Sequence, residues 1–160
     1  MIYERAYLVG QISKDVEETY MWRERIRHRF DPNPRIDIID PCFNQFNQAI
    51  LNSKMDDEQR MKVYRKMGTD VLVPKDYTYV LKSTMAIANM NHYDPKKPIL
   101  GSFFELAWYY ANPEKTVIGI FDGNPKNDII CNHPFVRQAV DVWVKDDEEA
   151  CKLIEYFYII

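Results

Sequence analysis

Residues 5–30, RAYLVGQISKDVEETYMWRERIRHRF, decide the fold. Arg5 to Val9 is a short apolar run ending at Gly10, which reads as a buried first strand followed by a turn. Asp15 to Phe30 is charged and helix-favouring, with apolar positions at Val16, Tyr20, Ile26 and Phe30. Asp15 stands where a cap or first-turn acid would be. Pro32 and Pro34 then break the helix. Ile36 to Ile39 alternates with aspartates and reads as a second strand, ended by Asp40-Pro41.

The alternation continues outward from there. Cys42 to Gly68 is less regular: FNQFNQAI is followed by a charged helical stretch, MDDEQRMKVYRKM. A segment of that length between strand and helix points to a functional loop. Pro74 to Lys82 reads as a helix with Pro74 near its first turn, and Thr84 to Asn89 as a third strand. After the polar loop NHYDPKKP comes GSFFELAWYYA, a strong helical pattern. Thr116 to Phe121 and Ala139 to Val144 give the fourth and fifth strands, and Asp146 to Tyr156 a closing helix. Strands alternating with helices imply an α/β, flavodoxin-like three-layer fold with a five-stranded, mainly parallel sheet. The 160 residues suit one domain spanning 1–160. Ligands of such sheets bind beyond the carboxyl ends of the strands. Here those ends are Gly10-Gln11, Pro41 to Asn47, Asn89 to Ser102 and Asp122 to Asn132.

Composition narrows the function. A net charge of −3 offers no basic stripe for a nucleic-acid backbone. Aromatic residues reach 14%, enough to line a pocket for a flat base or to build core and subunit interface. Cys42, Cys131 and Cys151 are far apart and form no CxxC pair, as expected of free thiols in a reducing compartment. MIYERAYLVG turns polar too early for a signal peptide, and no apolar run approaches a bilayer span. A cytoplasmic protein without membrane association is expected. There is no dinucleotide fingerprint, phosphate-binding glycine loop or zinc motif, and His28, His92 and His133 lack ligand spacing, so neither metal nor cofactor is implied.

Two carboxylates carry the chemistry. Glu105 falls in the first turn or so of an otherwise apolar helix, among Phe103, Phe104, Leu106, Ala107, Trp108, Tyr109 and Tyr110. It is either a first-turn acid that complements the helix dipole or a carboxylate held in a pocket at the sheet edge. Asp76 lies near the start of the helix before the third strand, where a helix acid is the plain reading. If the topology brings it to Glu105, the pair has the logic of glycosyl transfer. One carboxylate meets the anomeric carbon and the other handles the leaving group's proton.

In this setting the sequence resembles the nucleoside 2-deoxyribosyltransferase family along most of its length. AYLVG is similar to the family's opening strand, DPCFNQFN to its base-pocket loop, and KDYTYVLKSTMAIANM to its aspartate, helix and strand. GSFFELAWYYA matches its glycine, Glu-Leu and alanine pattern, and NHPFV the stretch that lends an asparagine to a neighbouring subunit. The resemblance implies that Glu105 is the nucleophile of a covalent deoxyribosyl intermediate, that Asp76 orients or protonates the base, and that Tyr7 positions Glu105. It implies that Gly10 and Gln11 shape the floor of the site, and that Phe43, Asn44 and Gln45 contact the base. Asn132 would reach the sugar across a dimer interface. Family members often carry an aspartate about six residues before the glutamate. Ile99 stands there in this chain, and Asp94 would substitute if the loop folds over. Ser102, with Lys96 and Lys97, bears on whether a phosphate is held, since relatives that hydrolyse nucleoside monophosphates need phosphate donors. The expected partners are deoxynucleosides, free nucleobases and further copies of the chain, YFYII being a candidate interface element. The alternatives are a nucleoside 5′-monophosphate N-glycosidase and a non-catalytic nucleotide-binding signalling domain.

Overall fold

A computed structural model describes residues 4–43 and 56–159. The strands are β1 (Glu4–Gly10), β2 (Ile36–Ile39), β3 (Met85–Asn89), β4 (Thr116–Ile120) and β5 (Val142–Val144). The helices described are α1 (Glu18–Phe30), α2 (Asp57–Lys82), α3 (Leu100–Tyr110), α4 (Pro134–Ala139) and α5 (Asp147–Phe157). All four strand pairings are parallel, and the order is β2-β1-β3-β4-β5. That order is flavodoxin-like, with its switch point between β1 and β3. The expected five-stranded, mainly parallel sheet is present, and among the described residues every pairing is parallel.

Side-chain alternation along β1 divides the core. Ala6 and Leu8 face α1 and α5, where Trp22, Ile26, Phe30 and Ile154 fill the layer. Tyr7 and Val9 face the other side, packed with Val80, Leu106, Tyr109 and Val136. β3 is buried along its whole length, as a central parallel strand covered on both faces must be. Gly10 ends β1 opposite Asn89. A Cβ there would lie 3.0 Å from the Trp22 ring and 3.2 Å from the Asn89 carbonyl, so α1 approaches the strand this closely only over a glycine.

Three local expectations are corrected. Asp56 caps α2 through a capping box with Gln59, and the helix then runs unbroken to Lys82. Pro74 is therefore inside a long helix rather than near the first turn of a short one. Ala139 ends the short helix α4, which the sequence pattern did not suggest, so β5 starts only at Val142. Asp15 precedes α1 without capping it: the N-cap is Glu17, which makes no side-chain capping bond. Asp15 instead stands 3.5 Å from Lys97 Nζ. Among the described residues, no helix is long and apolar enough to cross a membrane.

Candidate active site

Three of the candidate residues, Tyr7, Glu105 and Asp76, lie close enough to act on one another. Tyr7 points from β1 toward α3, fully buried, and its hydroxyl donates to Glu105 Oε1 at 2.5 Å. Glu105 sits in the second turn of α3, and the first turn holds no acid. The helix-dipole reading of Glu105 thus fails, because N–H groups beyond the first turn are already engaged within the helix. Its partly buried carboxylate is pushed up to about 7. Burial is the largest cause, the Asp76 charge adds to it, and the Tyr7 hydrogen bond, Arg23 and Lys75 work against it. A carboxyl group that titrates near neutrality is suited to chemistry that needs both its forms.

Asp76 also differs from its expected place. It lies in the second half of α2, two residues after Pro74, and is no N-terminal helix acid. Burial raises its carboxyl group, while Lys75 Nζ, 3.2 Å away, pulls it back. Oδ1 is buried and accepts no well-directed hydrogen bond. Contacts beside Asp76 and toward the C-terminal ends of the helices hold α2 against α3. Tyr77 and Trp108 meet edge to face at 5.1 Å. Tyr109 binds the Ser83 hydroxyl and donates to Met85 O at 3.2 Å. Lys115 Nζ donates to the last carbonyls of α2, Val80 and Leu81, both at 3.0 Å, and to Ser83 O. These contacts keep Asp76 within electrostatic reach of Glu105.

Other expected site residues serve the scaffold. Gln11 is buried and its amide is fully used: Nε2 donates to Asp94 O and Lys97 O, both at 2.8 Å, and Oε1 accepts Asp94 N–H at 2.8 Å. Asp94 accepts Ser13 Oγ at 2.6 Å and Lys96 N–H at 3.1 Å. The β3–α3 loop does fold over, but it directs Asp94 into the β1–α1 loop. The Ser13 hydrogen bond, the Lys96 N–H and the nearby lysines hold its carboxyl group below the usual range, against burial. Ser102 is buried in the first turn of α3, where sulfate- or phosphate-like groups are commonly met. Phe43 is exposed, with the Arg27 guanidinium 3.8 Å above its ring. Asn44 and Gln45 lie outside the described residues. Asn132 is exposed, and its backbone N–H donates to Asp128 O at 3.0 Å.

Three residues that the sequence pattern passed over belong to this neighbourhood. Arg23, Lys75 and Cys42 all act electrostatically on Glu105 or are acted on by it. Cys42 is buried, and its thiol is pushed up to about 12, which keeps it neutral and unreactive. Arg23 could have been found: with Thr19, Trp22, Ile26 and Phe30 it falls on the one buried stripe of α1. Among the described residues no cluster of His, Cys, Asp or Glu is arranged to hold a metal ion.

A separate groove of about 1010 Å³ runs between α3 and α4, lined by residues such as Phe104, Tyr110, Ile130, Phe135 and Val136. Phe104 and Phe135 are 65% and 82% exposed, and the lining is almost wholly apolar, so it offers surface rather than acid–base chemistry.

No protein-family model and no curated protein matches the chain. Among solved structures it is similar to the CMP N-glycosidase BcmB of Clostridium botulinum, with 14% identity and a TM-score of 0.49 over 96% of this chain and 100% of that one. It is also similar to the BeF3-activated DrrB receiver domain, with 8% identity and a TM-score of 0.45 over 99% of this chain and 100% of that one. Likenesses of this degree assign neither a residue nor an activity to this chain.

Proposed function

We propose that the chain is an enzyme of the nucleoside 2-deoxyribosyltransferase family that exchanges the bases of deoxynucleosides. The Tyr7–Glu105 hydrogen bond carries this reading, because among the described residues it leaves one carboxylate aimed and singly bonded near a second acid, Asp76.

The residues divide the work as follows. Ionised Glu105 attacks the anomeric carbon as the carbon–nitrogen bond to the base breaks. The base leaves with the bonding electrons, and Asp76, whose burial favours the protonated form, supplies a proton to its nitrogen. An incoming base then gives a proton to Asp76 and attacks the same carbon, which releases Glu105. Two displacements retain configuration. Tyr7 stays a neutral donor throughout, since burial and the neighbouring acids drive its hydroxyl well above its ordinary value. Its bond fixes one oxygen of Glu105 and leaves the other for attack. Phe43 at the open edge offers a face for the base. No cofactor takes part. A cytoplasmic homo-oligomer fits the exposed apolar residues of the α3–α4 groove, beside which Asn132 stands ready to serve a neighbouring subunit.

The test is to incubate the protein with a deoxynucleoside and a different free base, and separately with a deoxynucleoside 5′-monophosphate, and to follow products by chromatography. A new nucleoside is the expected result. Free base from the monophosphate alone would replace transfer by hydrolysis, and no product in either mixture would leave a nucleotide-binding role.

A further inference from the structure

Phe43 is an exposed ring held in one place. It ends the turn Asp40-Pro41-Cys42-Phe43 that follows β2. Phe43 N–H donates to Asp40 O at 3.1 Å, and Cys42 N–H donates to Asp40 Oδ1 at 2.9 Å. An aspartate at the first position of a turn and a proline at the second suit that geometry. The turn is fastened to α1 as well. Arg27 Nε stands 3.2 Å from Asp40 Oδ2, and Arg23 Nε 3.7 Å from Asp40 Oδ1. The Arg27 guanidinium lies over one face of the Phe43 ring, 3.8 Å from its centroid. Phe43 is 60% exposed, so the other face is open.

One acid therefore sets both the backbone of Phe43, through the turn, and the cation behind its ring. The Asp40 side chain is 4% exposed and that of Arg27 20%. Withdrawing such charges from water is costly. A ring that buries so little of itself offsets little of that cost through core packing. The arrangement fits a ring whose open face has a use. Its place follows from the sheet. Ile39, the last residue of β2, is the register partner of Tyr7, and both pack in the layer that holds Leu106, the neighbour of Glu105. The turn begins at the next residue and keeps the Asp40 and Phe43 Cα atoms within about 7 Å of each other. Phe43 thus stands just beyond the carboxyl end of the strand that lies beside Tyr7. Flat heteroaromatic rings stack on a face of this kind, whatever their hydrogen-bonding pattern.

We propose that Arg27 is a positioning residue, which pins Phe43 as a preformed, one-sided platform for the base of the substrate. That the stacked ring is a nucleobase rests on the transferase reading above; the pinning of Phe43 by Arg27 does not. Arg27 acts through the ring rather than on the substrate. A guanidinium suits the task because it is planar and always charged. Its attraction to one face of the ring restricts the ring before the base arrives, so less ordering is left to binding.

A double-mutant cycle on binding tests this, with the common deoxynucleosides as probes, calorimetry as the measurement and E105Q as the background that stops turnover. For the tightest of the probes, F43L should weaken binding by about tenfold or more, the worth of one stacked base. R27M should weaken it by about fivefold, and R27K, which keeps the charge, by less. In F43L, R27M should have no further effect, since an arginine that acts through the ring has nothing left to act on. Undiminished binding in F43L, or an equal loss from R27M with and without Phe43, overturns the proposal. Should R27M fail to fold, R27K takes its place in the cycle, and an equal loss on both backgrounds overturns it in the same way. Coupling between the two positions in a protein that exchanges no base would leave the platform standing and remove only the reaction. Base exchange without that coupling would do the reverse, and binding of none of the probes would overturn both.

Discussion

Asp94 and Glu105 are acids at the same edge of the same sheet, and they are kept in opposite ways. Asp94 is surrounded by donors, Ser13 Oγ, Lys96 N–H and the lysine charges, and its carboxyl group is held below the usual range. Among the described residues Glu105 receives one hydrogen bond, from Tyr7; it also feels a second acid and is pushed up to about 7. A carboxylate saturated with donors has nothing left to offer a substrate and works as a fastener. A carboxylate held by one donor keeps an oxygen and a proton equilibrium in reserve. The difference lies in which influence leads: burial for Glu105, the supply of donors for Asp94.

The largest expected effect removes the reserve itself. Glu105→Gln should lower base exchange by about 10³-fold or more, the loss typical of a missing nucleophile, with the far-ultraviolet circular dichroism unchanged. Turnover at the wild-type rate would put Glu105 in the same class as Asp94. Tyr7→Phe takes away its single donor. The exchange rate should fall by about 10- to 100-fold, the worth of one hydrogen bond to a charged group. The acidic limb of the pH profile should move upward, because that bond favours the ionised form.

The same asymmetry predicts stability. Glu105 binds its proton more tightly folded, at about 7, than its ordinary value of 4.5. The wild type should therefore lose stability as pH rises from 4.5 to 7 and carry the full penalty above that. Glu105→Gln should be more stable than wild type at pH 8, by up to about 3 kcal/mol, and no more stable at pH 4, as read by urea unfolding. Equal stability at both pH values would show that the pocket does not strain the acid. For Asp94 the sign reverses. Its group is depressed in the fold, so its contribution is complete above the ordinary aspartate value of about 3.9 and is lost as pH falls through the folded value. Asp94→Asn should melt several degrees lower at pH 7, and the gap should close in acid. A gap that persists unchanged at low pH would separate Asp94 from its proposed clamp.

The sequence disclosed the architecture because each strand is a short apolar run and parallel strands need no finer signal. It misplaced α2, because proline is read as a breaker and Pro74 is carried inside the helix by the packing around it. With α2 misplaced, Asp76 looked like a helix-start acid. Glu105 was visible as a lone acid on an apolar helix, while its relation to Tyr7 came from the family resemblance and not from spacing. Arg23 escaped notice because four arginines lie on α1, and only its place on the buried stripe sets it apart. The Gln11–Asp94 exchange of backbone and side-chain bonds has no sequence signature at all, since it joins two loops across 83 positions.

Separation along the chain has one more consequence. Tyr7 and Glu105 are 98 positions apart, and between them the chain must complete β2, α2 and β3. Closing so large a loop is slow, and parallel strand pairing with its long crossovers is slower to form than local helix. The hydrogen bond that prepares the nucleophile therefore belongs to the final stage of folding. In a refolding experiment, helix content should recover before the Tyr7–Glu105 bond closes, and an early compact form should be helical yet inert.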